Sequence, residues 1–182
     1  IKSRKEVDIS SDLDEHLTFN LPIISSPMDT VTESEMAYAI SKMGGLGIIH
    51  RYNSIEEQAG MVAEVVDAGI EVVGAAVGVS DDYFERAQTL VENGAKVICI
   101  DVAHGHHVLM ENALGALRQA FDNEVHIMAG NVATLEGINA LADWGAQSVR
   151  CNIGGGSICS TRIQTGHGLP GLQTIFDCAN TH

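Results

Sequence analysis

The sequence predicts an α/β fold, a (β/α)8 TIM barrel of which this chain supplies about six strand-helix units. Three observations predict it. Apolar, β-branched runs alternate with stretches of helical periodicity at a spacing of roughly 25–30 residues, which suits βα units. The runs are apolar at nearly every position, as expected of strands buried on both faces of a parallel sheet. Polar or glycine-rich residues stand at the carboxyl end of each run, as a barrel requires; a doubly wound sheet would carry a glycine-rich phosphate loop after its first strand, and "SSPMDTVTES" has no glycine.

In chain order, "LPIISSPM" leads to the helix "ESEMAYAISKMG", "LGIIH" to "SIEEQAGMVAEVVDAG", and "EVVGAAVGV" to "DDYFERAQTLVENG". "AKVICIDVA" then leads to "HVLMENALGALRQAF", "VHIMAGNVA" to "TLEGINALADWG", and "AQSVRCNI" to "LPGLQTIFDCANT". Ser80 or Asp81 and Thr134 precede helices as candidate N-caps, and Gly69, Gly94 and Gly145 fall just past helix ends, where a positive φ is needed. Eight units take about 250 residues, so residues 1–182 are expected to form one barrel domain that is incomplete at its C-terminal side.

Ten Lys and Arg against 24 Asp and Glu give a net charge of −14, which repels nucleic acid and anionic membranes. An anionic ligand must then be held by backbone N–H groups or by a few placed cations. No apolar run is long enough to span a bilayer and no secretion signal opens the chain, which points to the cytoplasm. The four cysteines show no zinc-ligand spacing. Cys99 and Cys178 sit in apolar patterns that suit buried, inert thiols.

Cys159 differs, because it follows Gly154, Gly155 and Gly156 in "RCNIGGGSICSTRIQTG", and by composition it reads equally as a loop thiol with no task and as a nucleophile. Such a loop at the sixth strand end presents a thiol at the barrel mouth, where a cation, Arg150 or Arg162, would favour the thiolate. Ser157 and the glycine N–H groups suit a phosphate, and Thr161 suits a water. In "DVAHGHH", His104, His106 and His107 raise a metal reading, but their spacing matches no helical ligand pair, while Asp101 suits the two hydroxyls of a ribose. "SSPMDTVTE" reads both as a helix start capped by Thr30 or Thr32 and as a site in which Ser26 meets phosphate and Met28 a base. Asn131 in "AGNVAT" has a similar double reading; Trp144 and Tyr83 read as packing residues.

Together, "SRKEVDIS", "SSPMDTVTE", "GGLGIIHRYNSIEEQ", "DVAHGHH", "AGNVAT" and "GGGSICSTRIQTGHGLP" resemble the IMP dehydrogenase/GMP reductase family. The resemblance implies a purine nucleotide oxidoreductase in which Cys159 attacks C2 of a purine nucleoside monophosphate, with hydride passing to NAD or from NADPH. It further implies that Thr161 handles the water or ammonia. Ser26, Met28, Asn131 and Ser157 would bind substrate, and Asp101, Val102, Ala103 and Asn152 the cofactor. The backbone carbonyls of Gly154, Gly156 and Cys159 would hold a potassium ion, and the expected assembly is a homotetramer.

Two loop positions depart from the family pattern: Asn152 stands where glycine is usual and Gly155 where proline is frequent. The segment from His50 to Val73 is too short for the inserted regulatory domain pair of most IMP dehydrogenases. The missing insertion and "DVA" favour GMP reductase, and "SSPMDTVTE", "IHRYNSIEEQ" and "HGH" favour IMP dehydrogenase. The sequence reading leans to GMP reductase, with IMP dehydrogenase as the alternative and an inactive nucleotide-binding or assembly fragment as a further one.

Overall fold

A computed structural model describes residues 3–181. Six strands form one parallel sheet: β3 (Ile24–Ser25), β4 (Leu46–Ile49), β5 (Gly74–Val77), β6 (Val97–Asp101), β7 (His126–Val132) and β8 (Ser148–Cys151). Each strand pairs with the next in sequence, with no reversal of order. Right-handed crossovers in a sheet of that order all fall on one side, which is how a barrel is wound and a doubly wound sheet is not. The six predicted strand-helix units and their barrel-type winding are therefore present.

The connecting helices are α1 (Ser34–Lys42), α2 (Ile55–Asp67), α3 (Tyr83–Glu92), α4 (Val108–Phe121) and α5 (Leu135–Asp143), with α6 (Thr161–Thr165) and α7 (Gly171–Cys178) after β8. Strand residues divide by alternation. Ile49, Ala75, Val77, Ile98, Ile100, Ile127 and Ala129 pack with Val62, Leu90, Leu114 and Leu117 of the helices in the larger core. Their neighbours Leu46, Ile48, Ala76, Val97, Cys99 and Met128 form a second core on the opposite face. Gln58 joins the layers: buried on α2, it donates to the carbonyls of Ile49 and Ala76 at 3.3 and 2.9 Å and accepts from Arg86 of α3 at 2.8 Å.

The second core is closed by a hairpin that the sequence pattern did not announce, β1 (Ser11–Asp12) against β2 (Thr18–Phe19), after a short 3-10 turn at Arg4–Glu6. Leu13, Leu17 and Phe19 of this hairpin cover the inner face of the sheet. Asp14 between its strands pairs with His126 Nδ1, and His126 Nε2 lies 2.7 Å from Ser148 Oγ. Burial would raise the Asp14 carboxyl, but the His126 hydrogen bond and the N–H groups of His16 and Leu17 outweigh it and lower its pKa. Burial lowers the His126 pKa in spite of Asp14. The arrangement is thus a carboxylate accepting from neutral Nδ1–H, with Nε2 accepting from the Ser148 hydroxyl.

Gly69, Gly94 and Gly145 take φ of 89°, 101° and 108° past helix ends, and the Thr134 side chain caps α5, as expected. The other caps are corrected. Glu33 is the N-cap of α1 and makes no side-chain cap bond, because the Thr32 hydroxyl donates instead to the Ser26 carbonyl at 2.6 Å. Asp82, also without a cap bond, starts α3, since its carboxylate is drawn onto Arg86 at 2.6 Å.

Candidate active site at the carboxyl ends of the strands

After β8 the chain turns at Asn152, φ 96°, and Gly154, φ 67°. The Cys159 N–H closes a turn onto the Gly156 carbonyl at 3.1 Å, and α6 begins two residues on. Cys159 is half-buried, with Sγ 3.2 Å from Thr161 Oγ1. The Thr161 hydroxyl and the Thr161 N–H lower the thiol pKa, with a smaller contribution from the Arg162 charge. Two buried or half-buried thiols move the opposite way: burial pushes Cys99 up to about 12 and Cys151 up to about 11.

Of the two arginines expected to act on Cys159, only Arg162 does so. Arg150 is turned inward and forms an ion pair with Asp101, with Nη1 also 3.8 Å from Cys99 Sγ. The reason is alternation along β8, which puts Arg150 on the inner face, while the thiol belongs to the loop beyond.

Two cavities open beside this loop. One, of about 380 Å³, is lined by Asp101, Val102, Ala103, Asn131, Gly154 and Thr161, so it gathers three of the four residues expected at a cofactor, all from one strand end, with residues expected at substrate, at an ion and at catalysis from two others; Asn152, the fourth, does not line it. Arg51 and Tyr52, which the sequence reading quoted but did not assign, line the same cavity. The available signal was an arginine directly after an apolar strand in a chain with only 10 basic residues. The other cavity, of about 350 Å³, lies against the inner face and is lined by Ser25, Ser26, Met128, Asn131, Ser148 and Arg150, among others. Asn131 belongs to both, held by its Nδ2 donating to the Asn152 carbonyl at 2.8 Å.

Met28, 47% exposed, and the exposed Ser157 line neither cavity. Asn152 sits behind the loop: a Cβ on Gly155 or on Gly171 would lie 2.6 Å from its Nδ2, so its side chain fills the space between them. The Gly156 carbonyl, one of three expected at potassium, accepts from the Cys159 N–H at 3.1 Å.

The three histidines of "DVAHGHH" diverge. His104 stacks on His167 with ring centres 4.6 Å apart, His106 meets Trp144 at 5.7 Å, and His107 caps α4 through Nδ1. Among the described residues no group of three or more His, Cys, Asp or Glu side chains is placed to hold a metal ion. His50, buried at the second strand end, approaches Glu33 at 3.2 Å and accepts from the Tyr52 N–H at 3.1 Å, which positions Tyr52 without bringing the imidazole into either cavity. Among the described residues no helix is long and apolar enough to cross a membrane.

Comparison with known proteins agrees with this arrangement. The model of the IMP dehydrogenase / GMP reductase domain matches residues 2–182. An inosine-5'-monophosphate dehydrogenase of Cryptosporidium parvum is 33% identical over 218 residues, covering 97% of this chain and 54% of the relative. One of Borreliella burgdorferi is 31% identical over 230 residues, covering 97% and 57%. One of Nitrosopumilus maritimus is 28% identical over 305 residues, covering 98% and 63%. The chain thus spans between 54% and 63% of the length of these relatives. With a barrel-wound sheet, a cysteine loop at its carboxyl edge and a domain match along nearly the whole chain, this protein belongs to the IMP dehydrogenase/GMP reductase family.

Proposed function

We propose that the protein acts as an IMP dehydrogenase, converting IMP, NAD and water to XMP, NADH and a proton. This corrects the lean to GMP reductase: the relatives just described carry the dehydrogenase name, and they outweigh "DVA" and a short segment between His50 and Val73. The observation that carries the reading is Cys159, whose thiol is shifted toward the thiolate by Thr161, a residue that also lines the cavity holding Asp101.

In this reading Ser26 and Asn131 hold the nucleotide in the inner cavity and Cys159 Sγ bonds to purine C2. Asp101, Val102 and Ala103 would hold the dinucleotide, which when bound would supply the acceptor for the hydride that leaves C2. The cavity fits such a group, having a carboxylate for ribose hydroxyls and apolar Val102, Ala103 and Ile153 beside it. Water then displaces sulfur from C2, and the thiol is recovered. Thr161 does two things: its hydroxyl donates to the thiolate before attack and is placed to orient the water afterwards.

The test is turnover by the full protein. IMP with NAD is expected to yield reduced nicotinamide absorbance and XMP, and Cys159→Ala to abolish both. Turnover of GMP with NADPH but none of IMP with NAD would return the assignment to the reductase. Undiminished turnover in the alanine variant would remove the covalent mechanism.

A further inference from the structure

Three side chains outside the cysteine loop stand in line. Asp14 of the hairpin pairs with His126 Nδ1 at the start of β7, and His126 Nε2 lies 2.7 Å from Ser148 Oγ at the start of β8. The Asp14 carboxylate is fixed by two further bonds, from the N–H groups of His16 and Leu17 at 2.7 and 2.8 Å. The side chains of His126 and Asp14 are 2% and 12% exposed, whereas Ser148 is half-buried and lines the inner cavity of about 350 Å³. A carboxylate, a neutral imidazole and a hydroxyl in that order are the parts that take the proton from a serine as it attacks.

The cavity supplies what else such an attack needs. Ser25 Oγ lines it, is buried and bonds to nothing among the described residues, so its hydroxyl is available to an oxygen that gains charge. Leu13, Ile24, Ile48 and Met128 line it as well and give an acyl group an apolar wall. Arg150, also in the lining, is committed to Asp101, so an uncharged ligand suits the cavity better than an anion.

We propose that Ser148 is a second nucleophile of this chain, separate from Cys159, with His126 as its base and Asp14 as the residue that positions the imidazole, and that it acts on small uncharged carboxylic esters. Ser148 Oγ bonds to the acyl carbon as its proton passes to His126 Nε2. The bond from that carbon to the alcohol oxygen then breaks, and the alcohol leaves with the proton. Water attacks the acyl-serine through the same base, releasing the carboxylic acid and restoring the hydroxyl. No electron acceptor takes part, so the activity is independent of the dehydrogenase reading.

The experiment treats the full protein with a small alkyl fluorophosphonate, maps the adduct by peptide mass spectrometry, and follows hydrolysis of p-nitrophenyl acetate. Hydrolysis is measured in a Cys159→Ala background, since a reactive thiol also opens such esters. The adduct is expected on Ser148, and hydrolysis is expected to fall about a hundredfold or more in Ser148→Ala and in His126→Gln. In Asp14→Asn the rate should fall and its pH midpoint move down, because the carboxylate that raises the imidazole pKa has lost its charge while the opposing Arg118 charge remains. Ser148→Cys keeps the centre measurable if the alanine variant does not fold: its thiol should be alkylated below the pH an ordinary thiol needs. No adduct or one elsewhere, undiminished hydrolysis in Ser148→Ala, an unmoved midpoint in Asp14→Asn, or ordinary alkylation of Ser148→Cys overturns the proposal and leaves the dehydrogenase reading standing.

Discussion

Asp101 of β6 and Arg150 of β8 form an ion pair across the intervening strand, and they meet because the residue between them on β7, Gly130, has no side chain. A Cβ on Gly130 would lie 2.6 Å from Arg150 Cβ and 2.8 Å from its carbonyl oxygen. The pair joins the two cavities, since Asp101 lines one and Arg150 the other.

Gly130→Ala is therefore expected to destabilise the fold by roughly 1–3 kcal/mol, the usual cost of overpacking, and to weaken cofactor binding by displacing Arg150 from Asp101. Urea denaturation and a cofactor titration measure the two effects. A midpoint equal to that of the wild type would show that the strands move apart at no cost.

Alkylation at neutral pH should select one thiol. Cys159 has a lowered pKa and is half-buried, while Cys99 and Cys151 are pushed up to about 12 and about 11. Limiting iodoacetamide followed by peptide mass spectrometry is expected to mark Cys159 first, with Cys99 reacting only on unfolding. Faster labelling of Cys151 would contradict this order.

Thr161→Val removes the hydroxyl that donates to the thiolate but leaves the backbone N–H. The pH profile of Cys159 alkylation should move upward toward an ordinary thiol, because a hydrogen bond to the charged form is lost. Catalytic turnover at neutral pH should fall with it. An unmoved profile would mean that the hydroxyl does not set the thiol's ionisation.

The two departures at Asn152 and Gly155 are expected to be coupled. Asn152 Nδ2 lies 2.6 Å from where a Gly155 Cβ would be, and at the same distance from where a Gly171 Cβ would be. Gly155→Ala should destabilise the protein when Asn152 is present and much less in Asn152→Gly, with a coupling of roughly 0.5–3 kcal/mol in a double-mutant cycle. Asn152→Gly also relaxes a residue held at φ 96°, where glycine is at ease and asparagine is tolerated less well. Additive effects would separate the two positions.

Acid should weaken the floor of the half-barrel. His126 has a folded pKa below 6.5, so the unfolded chain binds more protons and stability falls as pH drops through that value. Asp14 has a folded pKa below 3.8, so its contribution, present above 3.8, is lost at still lower pH as the folded carboxylate is protonated. Thermal melts are expected to show a shallower decline between pH 7 and 5 in His126→Gln than in the wild type. An identical slope would assign the acid sensitivity elsewhere.

Much of this was legible from residue order because the signals are local. The apolar runs set the strands, helical periodicity set the helices between them, and Gly69, Gly94 and Gly145 marked helix ends through a conformation that other residues avoid. The loop from Gly154 to Cys159 stood out by composition, and the inertness of Cys99 followed from its apolar setting. Hidden were the contacts between distant residues. Asp14 meets His126 across 112 positions and Arg150 meets Asp101 across 49, and neither span has a local pattern. The hairpin at Ser11–Phe19 escaped because its strands have two residues each, too short for periodicity to register.

Sequence by itself determined the winding of the chain and the thiol at its edge, since backbone preference and side-chain alternation act over a few residues. Tertiary structure alone decided that Arg150 serves Asp101 rather than Cys159, that the histidines scatter, and that Arg51 and Tyr52 line a cavity with Asp101. Those outcomes depend on the register between strands and the curl of the sheet, which bring together charges that chain order keeps apart.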